Sequence, residues 1–280
     1  MKLKKLVLTG AAGRLGSYLR EPLAAMCEEL VSTDIADDIG TLHKGERYVK
    51  ADLSNFDEID ALMEGAEMVV HFGAIVDELP FEEMLGPNFV GSYNIWEAGH
   101  RHGVRRVVYA SSIHAVGMYP KTQCLGVDEP HRPDTFYGLA KCFTEDLGRM
   151  YWEKRQMESV HLRIYSCTTP TNPRALGSYL SYDDLIQLVT RAIDTPVTGF
   201  TIAWGVSNND RVPVDNSSAS FLGYRPKDNA EEFAEEILGK AEPADPTDIG
   251  QMCHGGPFAS IALGQSAMGK MGIKDGKKDS

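Results

Sequence analysis

The chain has 280 residues, with 28 Lys+Arg against 40 Asp+Glu and a formal charge of −12, a balance that repels polyanions and sets aside a nucleic-acid-binding role. Hydrophobic residues make up 42% and charged residues 24%, the proportions of a globular chain with a real core. No apolar run approaches the roughly 20 residues that span a bilayer, the opening Leu6-Val7-Leu8 is too short for a secretory leader, and Cys27, Cys124, Cys142, Cys167 and Cys253 lack CxxC spacing; the expectation is a cytoplasmic protein with reduced thiols, no membrane association and no metal site.

In chain order, short apolar runs alternate with segments of helical period. Strands are predicted over 5–9, 30–34, 47–50, 68–72, 104–111 and 160–164, and helices over 15–25, 56–63, 87–102 and 137–154. This alternation predicts an α/β fold, a doubly wound parallel sheet covered by helices on both faces, in residues 1–167. The run 104–111 is apolar on both faces and belongs in the middle of the sheet. After Cys167 the alternation weakens, and 168–258 reads as a small C-terminal substrate lobe with a helix at 182–194, a strand at 199–204 and a helix near 229–238. Pro243 and Pro246 mark 241–248 as an exposed connection. Residues 259–280 read as a tail, rich in Gly, Lys and Met from 264 on, either disordered or docked on a neighbouring subunit.

Gly10, Gly13 and Gly16 follow the first strand and open the first helix. At that place Gly10 allows the tight strand exit, Gly13 lets backbone N–H groups approach a pyrophosphate, and Gly16 brings the helix close to the sheet. With Arg14 and Leu15 they form a phosphate-binding turn at a helix N-terminus. Eighteen residues beyond Gly16 stands Asp34, at the end of the second strand. A carboxylate there accepts hydrogen bonds from the adenosine ribose hydroxyls and repels a 2′-phosphate, which favours NAD over NADP; the bland reading is a solvated strand-end acid. Asp52, with Leu53, is placed to meet the adenine, and Phe72-Gly73-Ala74 ends the fourth strand where backbone passes the cofactor.

Tyr137 and Lys141 lie four apart, one turn along a single helix face. An ammonium one turn from a phenol lowers its pKa from the usual ~10 and makes it a base. Such pairs are common on solvated helices, but this one follows a central strand ending in Ser111-Ser112 in a chain that begins with a dinucleotide turn. Together these features point to catalysis by Tyr137, Lys141 and Ser112.

With these motifs in order, the sequence resembles an extended short-chain dehydrogenase/reductase with a Rossmann core, and within that superfamily the uronate dehydrogenases. The resemblance covers about residues 3 to 258 and rests on the stretches Leu8 to Gly13, Ala110 to His114, Tyr119-Pro120, Arg132-Pro133-Asp134, Tyr137 to Phe143, Arg163 with Ser166 to Thr168, Asp183-Asp184 and Gly223 to Ala230. It implies oxidation of a pyranose uronic acid at C1 to its aldarolactone, with NAD as hydride acceptor, in a homo-oligomer. Tyr137 would take the C1 hydroxyl proton, Lys141 would hold the nicotinamide ribose and keep Tyr137 acidic, and Ser112 would hydrogen-bond the reacting oxygen. Substrate positions carried over by resemblance are Ser112, His114, Ser166 and Arg174; a guanidinium at 174 can grip the sugar carboxylate bidentately. Ile113 and Val76 stand where the family has Asn and Ser, so if both line the sugar pocket, hydrogen bonds to sugar hydroxyls are lost and substrate preference shifts. A C1 dehydrogenase acting on another aldose or on a phosphate- or sulfonate-bearing sugar, a sugar-nucleotide epimerase or dehydratase, and a dinucleotide-sensing regulator are the competing readings.

Other signals read as structural. His100 and His102 point to different helix faces and cannot share a metal. His71 packs near the cofactor, and Met268 and Met271 belong to the tail.

Overall fold

The computed structural model describes residues 2–267. Seven parallel strands, β1 (Leu3–Thr9), β2 (Cys27–Asp34), β3 (Glu46–Lys50), β4 (Met68–His71), β5 (Arg106–Ser112), β6 (Glu158–Ile164) and β7 (Phe200–Gly205), form one sheet in the order β3-β2-β1-β4-β5-β6-β7. The order reverses between β1 and β4, and such a switch point opens a crevice at the carboxyl ends of the strands. In-register pairs such as Thr9 with His71 and Ser112 with Ile164 bring those ends level.

Alternate side chains along each strand enter opposite layers. Leu6, Leu8, Met68, Val70, Val108 and Leu162 pack beneath α1 (Arg14–Met26) through Leu19 and Leu23, together with Leu185 and Leu188 further along the chain. Val7, Val69, Val107 and Tyr109 face Ile59 and Met63 of α2 (Phe56–Met63), with Ile95, Trp96, Leu147 and Tyr151 completing that layer. Between α2 and this second group run α3 (Phe81–Met84) and a single π-turn at Leu85–Val90, followed by α4 (Gly91–Arg101) and the long α5 (Phe136–Arg155). Beyond β6 come α6 (Ala175–Ser178) and α7 (Tyr182–Asp194), the latter stacking Tyr182 on Tyr18 of α1 at 3.7 Å between ring centroids.

Several boundaries differ from the sequence expectation for identifiable reasons. The central strand starts at Arg106, not 104: Arg106 is fully buried, pairs with Glu158 at 2.5 Å, and donates to the Ala192, Ile193 and Thr195 carbonyls at the end of α7. The helix expected from 87 begins at Gly91, because Pro87 supplies no N–H and its ring crowds the preceding turn, which widens into the π-turn. The strand at 199–204 is β7, the edge of the main sheet, since Ser159 to Ile164 pair with it residue by residue. The helix near 229–238 divides into a 3₁₀ turn at Ala230–Phe233 and a helix at Ala234–Gly239. Of the tail, residues 259–267 fold back on their own chain and bury Ala267 completely; residues 268–280, with Met268 and Met271, lie outside the described residues.

Candidate active site

The turn between β1 and α1 is built for close approach. Gly10 has φ +74°, and a Cβ there would fall 2.6 Å from Gly73 N; a Cβ at Gly16 would fall 2.0 Å from the Gly10 carbonyl oxygen. At Gly13, the N-cap of α1, a Cβ would meet only the Gly10 oxygen, at 3.1 Å. No side chain caps α1 and no acid occupies its first turn, so exposed Arg14, half-buried Leu15 and their amides present the positive helix end to an open side. Asp34 Oδ2 accepts from Ala12 N at 3.0 Å, which ties the strand-end carboxylate to this turn. Across the switch point, Gly73 N–H donates to Thr9 Oγ1 at 3.1 Å, and Thr9 Oγ1 lies 2.7 Å from His71 Nδ1. Burial pushes His71 down to about 3, so the ring is neutral and serves as the end of this chain. Leu53 lies against Gly73, Asp52 is exposed with its carboxylate on Ser54 N, and Phe72, Gly73 and Ala74 are half-buried beside them. A cradle that a single Cβ would fill, an uncapped helix start and a carboxylate at the β2 end fit a dinucleotide, with the pyrophosphate at Gly13 and the ribose at Asp34.

Tyr137 and Lys141 both face inward from α5, and Ser112 ends β5 opposite them. Lys141 Nζ donates to the Ala110 carbonyl at 2.7 Å and sits 5.1 Å from the Tyr137 ring centroid and 4.7 Å from that of Tyr109. Burial drives Lys141 down to about 7, with Glu145 pulling it back up. Burial opposes the expected lowering of Tyr137 by Lys141: it pushes the phenol up to about 12, against a lowering hydrogen bond with Ser112. The reason is that the ammonium lies over the ring face and spends its bond on a carbonyl, while the phenol is shut away from water.

On the other side of Tyr137 a second group assembles. His114 Nδ1 lies 2.7 Å from Asp134 Oδ2, stacks on Phe258 at 4.2 Å between centroids, and meets Tyr137 edge-on at 5.6 Å. Arg174 donates from Nε and Nη2 to the His254 carbonyl at 3.2 and 2.6 Å. The guanidinium edge expected to grip a carboxylate is thus seated on backbone, which leaves Nη1 outside that bond. Burial lowers Arg174 from its ordinary value, Tyr165 and Asp134 partly offsetting it, and a cation so placed favours an anionic ligand. Ser166 is half-buried, its backbone held by Ser178 O and Leu180 N. Val76 is 51% exposed on the loop after β4, whereas Ile113 is 1% exposed within a cluster of Val116, Tyr119, Leu125 and Trp204. The expectation that both line the pocket is therefore not met for Ile113, whose aliphatic side chain belongs to the core beneath Ser112.

Residues 6–196 match the family described as NAD dependent epimerase/dehydratase. The chain belongs to the NAD dependent epimerase/dehydratase family. It is 43% identical over 257 residues to a uronate dehydrogenase of Agrobacterium fabrum, covering 91% of this chain and 97% of that one. A uronate dehydrogenase structure from Agrobacterium tumefaciens, a tyrosine-to-alanine variant complexed with NAD, superposes with a TM-score of 0.88 at 42% identity, covering 93% and 98% of the two chains. A glucuronic acid dehydrogenase from Chromohalobacter salexigens gives 0.89 at 37% identity, again over 93% and 98%.

Within this member of the epimerase/dehydratase family, three site residues escaped the motif reading. Asp134 stood only in a stretch of resemblance, yet its carboxylate is fully buried beneath His114. A Cβ at Gly117 or at Gly255 would fall 2.0 or 1.9 Å from Asp134 Oδ2, so two glycines distant in sequence make room for one acid. Phe258 and His254 come from a segment without periodicity. No pattern in the sequence points to them, since their neighbours are brought by the fold.

Proposed function

We propose that this protein oxidises a hexuronate such as galacturonate or glucuronate at C1 to the aldarolactone, with NAD as hydride acceptor. The observation that carries the reading is the junction at Tyr137, where Lys141 and Ser112 meet His114, Phe258 and, through the His254 segment, a half-buried Arg174. Bound NAD supplies the acceptor for the hydride from C1. Tyr137 acts as the phenolate and receives the hydroxyl proton, Ser112 orients the sugar oxygen, and the Lys141 ammonium over the ring favours that phenolate against the burial that pushes the phenol up. Arg174 Nη1 and His114 hold the carboxylate and ring hydroxyls, and Ser166 lines the same side. Gly10, Gly13, Arg14, Leu15, Gly16, Asp34, Asp52, Leu53, Phe72, Gly73 and Ala74 hold the dinucleotide, which divides the labour between residues 1–167 and the later residues to 258. A cytoplasmic homo-oligomer completes the reading; no described helix is long and apolar enough to cross a membrane.

Purified protein mixed with NAD and a panel of galacturonate, glucuronate, neutral aldoses and sugar phosphates is expected to form NADH, followed at its near-ultraviolet absorbance, on the uronates. Tyr137→Phe should lose about 10²- to 10⁴-fold in kcat with NAD binding retained, and Arg174→Ala should raise KM for uronates about tenfold or more. Turnover confined to neutral or phosphorylated sugars overturns the uronate assignment.

A further inference from the structure

Glu78 is 0% exposed and lies just past the loop that carries Phe72, Gly73, Ala74 and Val76. Its two carboxylate oxygens serve two distant parts of the chain. Oε2 accepts from Tyr137 N–H at 3.1 Å, in the first turn of α5, and Oε1 accepts from Gly264 N–H at 2.8 Å, 186 residues away. The N-cap of α5, Thr135, takes the Gly138 amide, so Glu78 satisfies a helix-start donor that no residue of the helix can reach, and places a negative charge where the dipole favours it. Its neighbour Asp77 holds the same returning segment through Ala267 N at 2.9 Å and the Ser266 hydroxyl.

The segment so fastened is a strap. At its near end His254 is held by the Tyr165 hydroxyl and the Gln123 carbonyl and in turn seats Arg174. Midway, Phe258 covers His114 and approaches Tyr137 at 6.3 Å. At the far end, Ala267 is buried with Met84, Tyr137 and Phe258. The strap thus carries two elements of the sugar side, and its far anchor shares one carboxylate with the backbone of the tyrosine.

We propose that Glu78 is a positioning residue for the dehydrogenase reaction, the joint through which the seating of the 254–267 strap over the sugar side is coupled to the position of Tyr137. The carboxylate is matched to two N–H donors; an amide at the same place offers one acceptor and turns its NH₂ against the other donor. Coupling therefore requires both oxygens, and it acts on the sugar side and on the tyrosine, not on the dinucleotide turn at β1–α1.

The test uses the full chain with Glu78→Gln, which is isosteric, and with Gly264→Pro, which removes the N–H that Glu78 Oε1 accepts and cannot hold φ +76°, unseating the far end of the strap while leaving the Tyr137 amide bond intact. Glu78→Gln is expected to lower kcat on the uronate about tenfold and to raise its KM, because a small displacement of a reacting group is costly, while the affinity for NAD, read by protein fluorescence, stays at the wild-type value. Gly264→Pro should give the same pattern, and the double variant should be no worse than the worse single, since both break one linkage. Hydrogen exchange should rise together in peptides covering 135–140 and 258–267 in Glu78→Gln and stay unchanged at 10–20. Wild-type kinetics in Glu78→Gln, multiplying losses in the double variant, or exchange rising throughout with loss of NAD affinity would each overturn the proposal, the last by reducing Glu78 to a stability role. The kinetic arm rests on the uronate reading; the exchange arm does not, so a wild-type protein silent on uronates but with coupled exchange refutes the substrate and keeps the joint.

Discussion

His114 has the most closely specified surroundings of any side chain on the sugar side. With Asp134 Oδ2 accepting from Nδ1–H, Nε2 is the ring nitrogen left for a sugar hydroxyl, and Phe258 fixes the ring plane. Asp134→Asn keeps the shape and the Thr135 contact but can present an NH₂ to Nδ1, which reverses the tautomer and makes Nε2 a donor. We expect kcat/KM on the uronate to fall about tenfold or more with NAD affinity intact; unchanged steady-state kinetics would separate His114 from the sugar. Lys141 and Tyr137 carry a different lesson at this scale. Their spacing was readable as i, i+4, but the direction in which each shifts was set by burial, which no spacing records.

Among the elements, α5 is fixed at its start and in its middle. Its start is held by Thr135 and Glu78, and one turn past Lys141 the buried Glu145 pairs with Arg163 at 2.8 Å, meets His131 Nε2 at 2.8 Å and accepts from the Ser111 hydroxyl at 2.5 Å. One carboxylate thereby ties the Tyr–Lys helix to β5 and β6. Burial pushes its pKa up, but His131 and Arg163 outweigh burial and hold the carboxyl below its ordinary 4.5. A carboxyl with a depressed folded-state pKa binds fewer protons folded than unfolded, so its stabilisation is present above about 4.5 and is lost as the pH falls. Glu145→Gln leaves Arg163, 1% exposed, without its counter-charge. Urea unfolding at neutral pH should register a loss of about 3–5 kcal/mol, and the gap between variant and wild type should narrow below pH 4. An unchanged midpoint would remove Glu145 from the stability of the sheet.

For the whole molecule, Val90 and Tyr93 at and within the start of α4, and Leu139, Phe143 and Met150 on α5, remain exposed. An apolar surface on two neighbouring helices is the support within the chain for the homo-oligomer reading, the occupant being a second copy. Light scattering should return a multiple of 30.8 kDa, and Phe143→Glu should shift it to 30.8 kDa; a wild-type monomer would refute it. The sequence alone determined the doubly wound sheet, the glycine turn, the acid at the end of β2 and the Tyr137–Lys141 pair, because each is written within one strand, one turn or one strand–turn–helix unit, where periodicity and glycine placement act directly. Only the tertiary structure decided that residues 200–205 close the main sheet, that Ile113 is core, that Asp134 underlies His114, and that Glu78 joins Tyr137 to a strap 186 residues further on. Those contacts are satisfied by partners far along the chain, so the polar atom that completes each pair is supplied by the folded arrangement and leaves no local pattern to read.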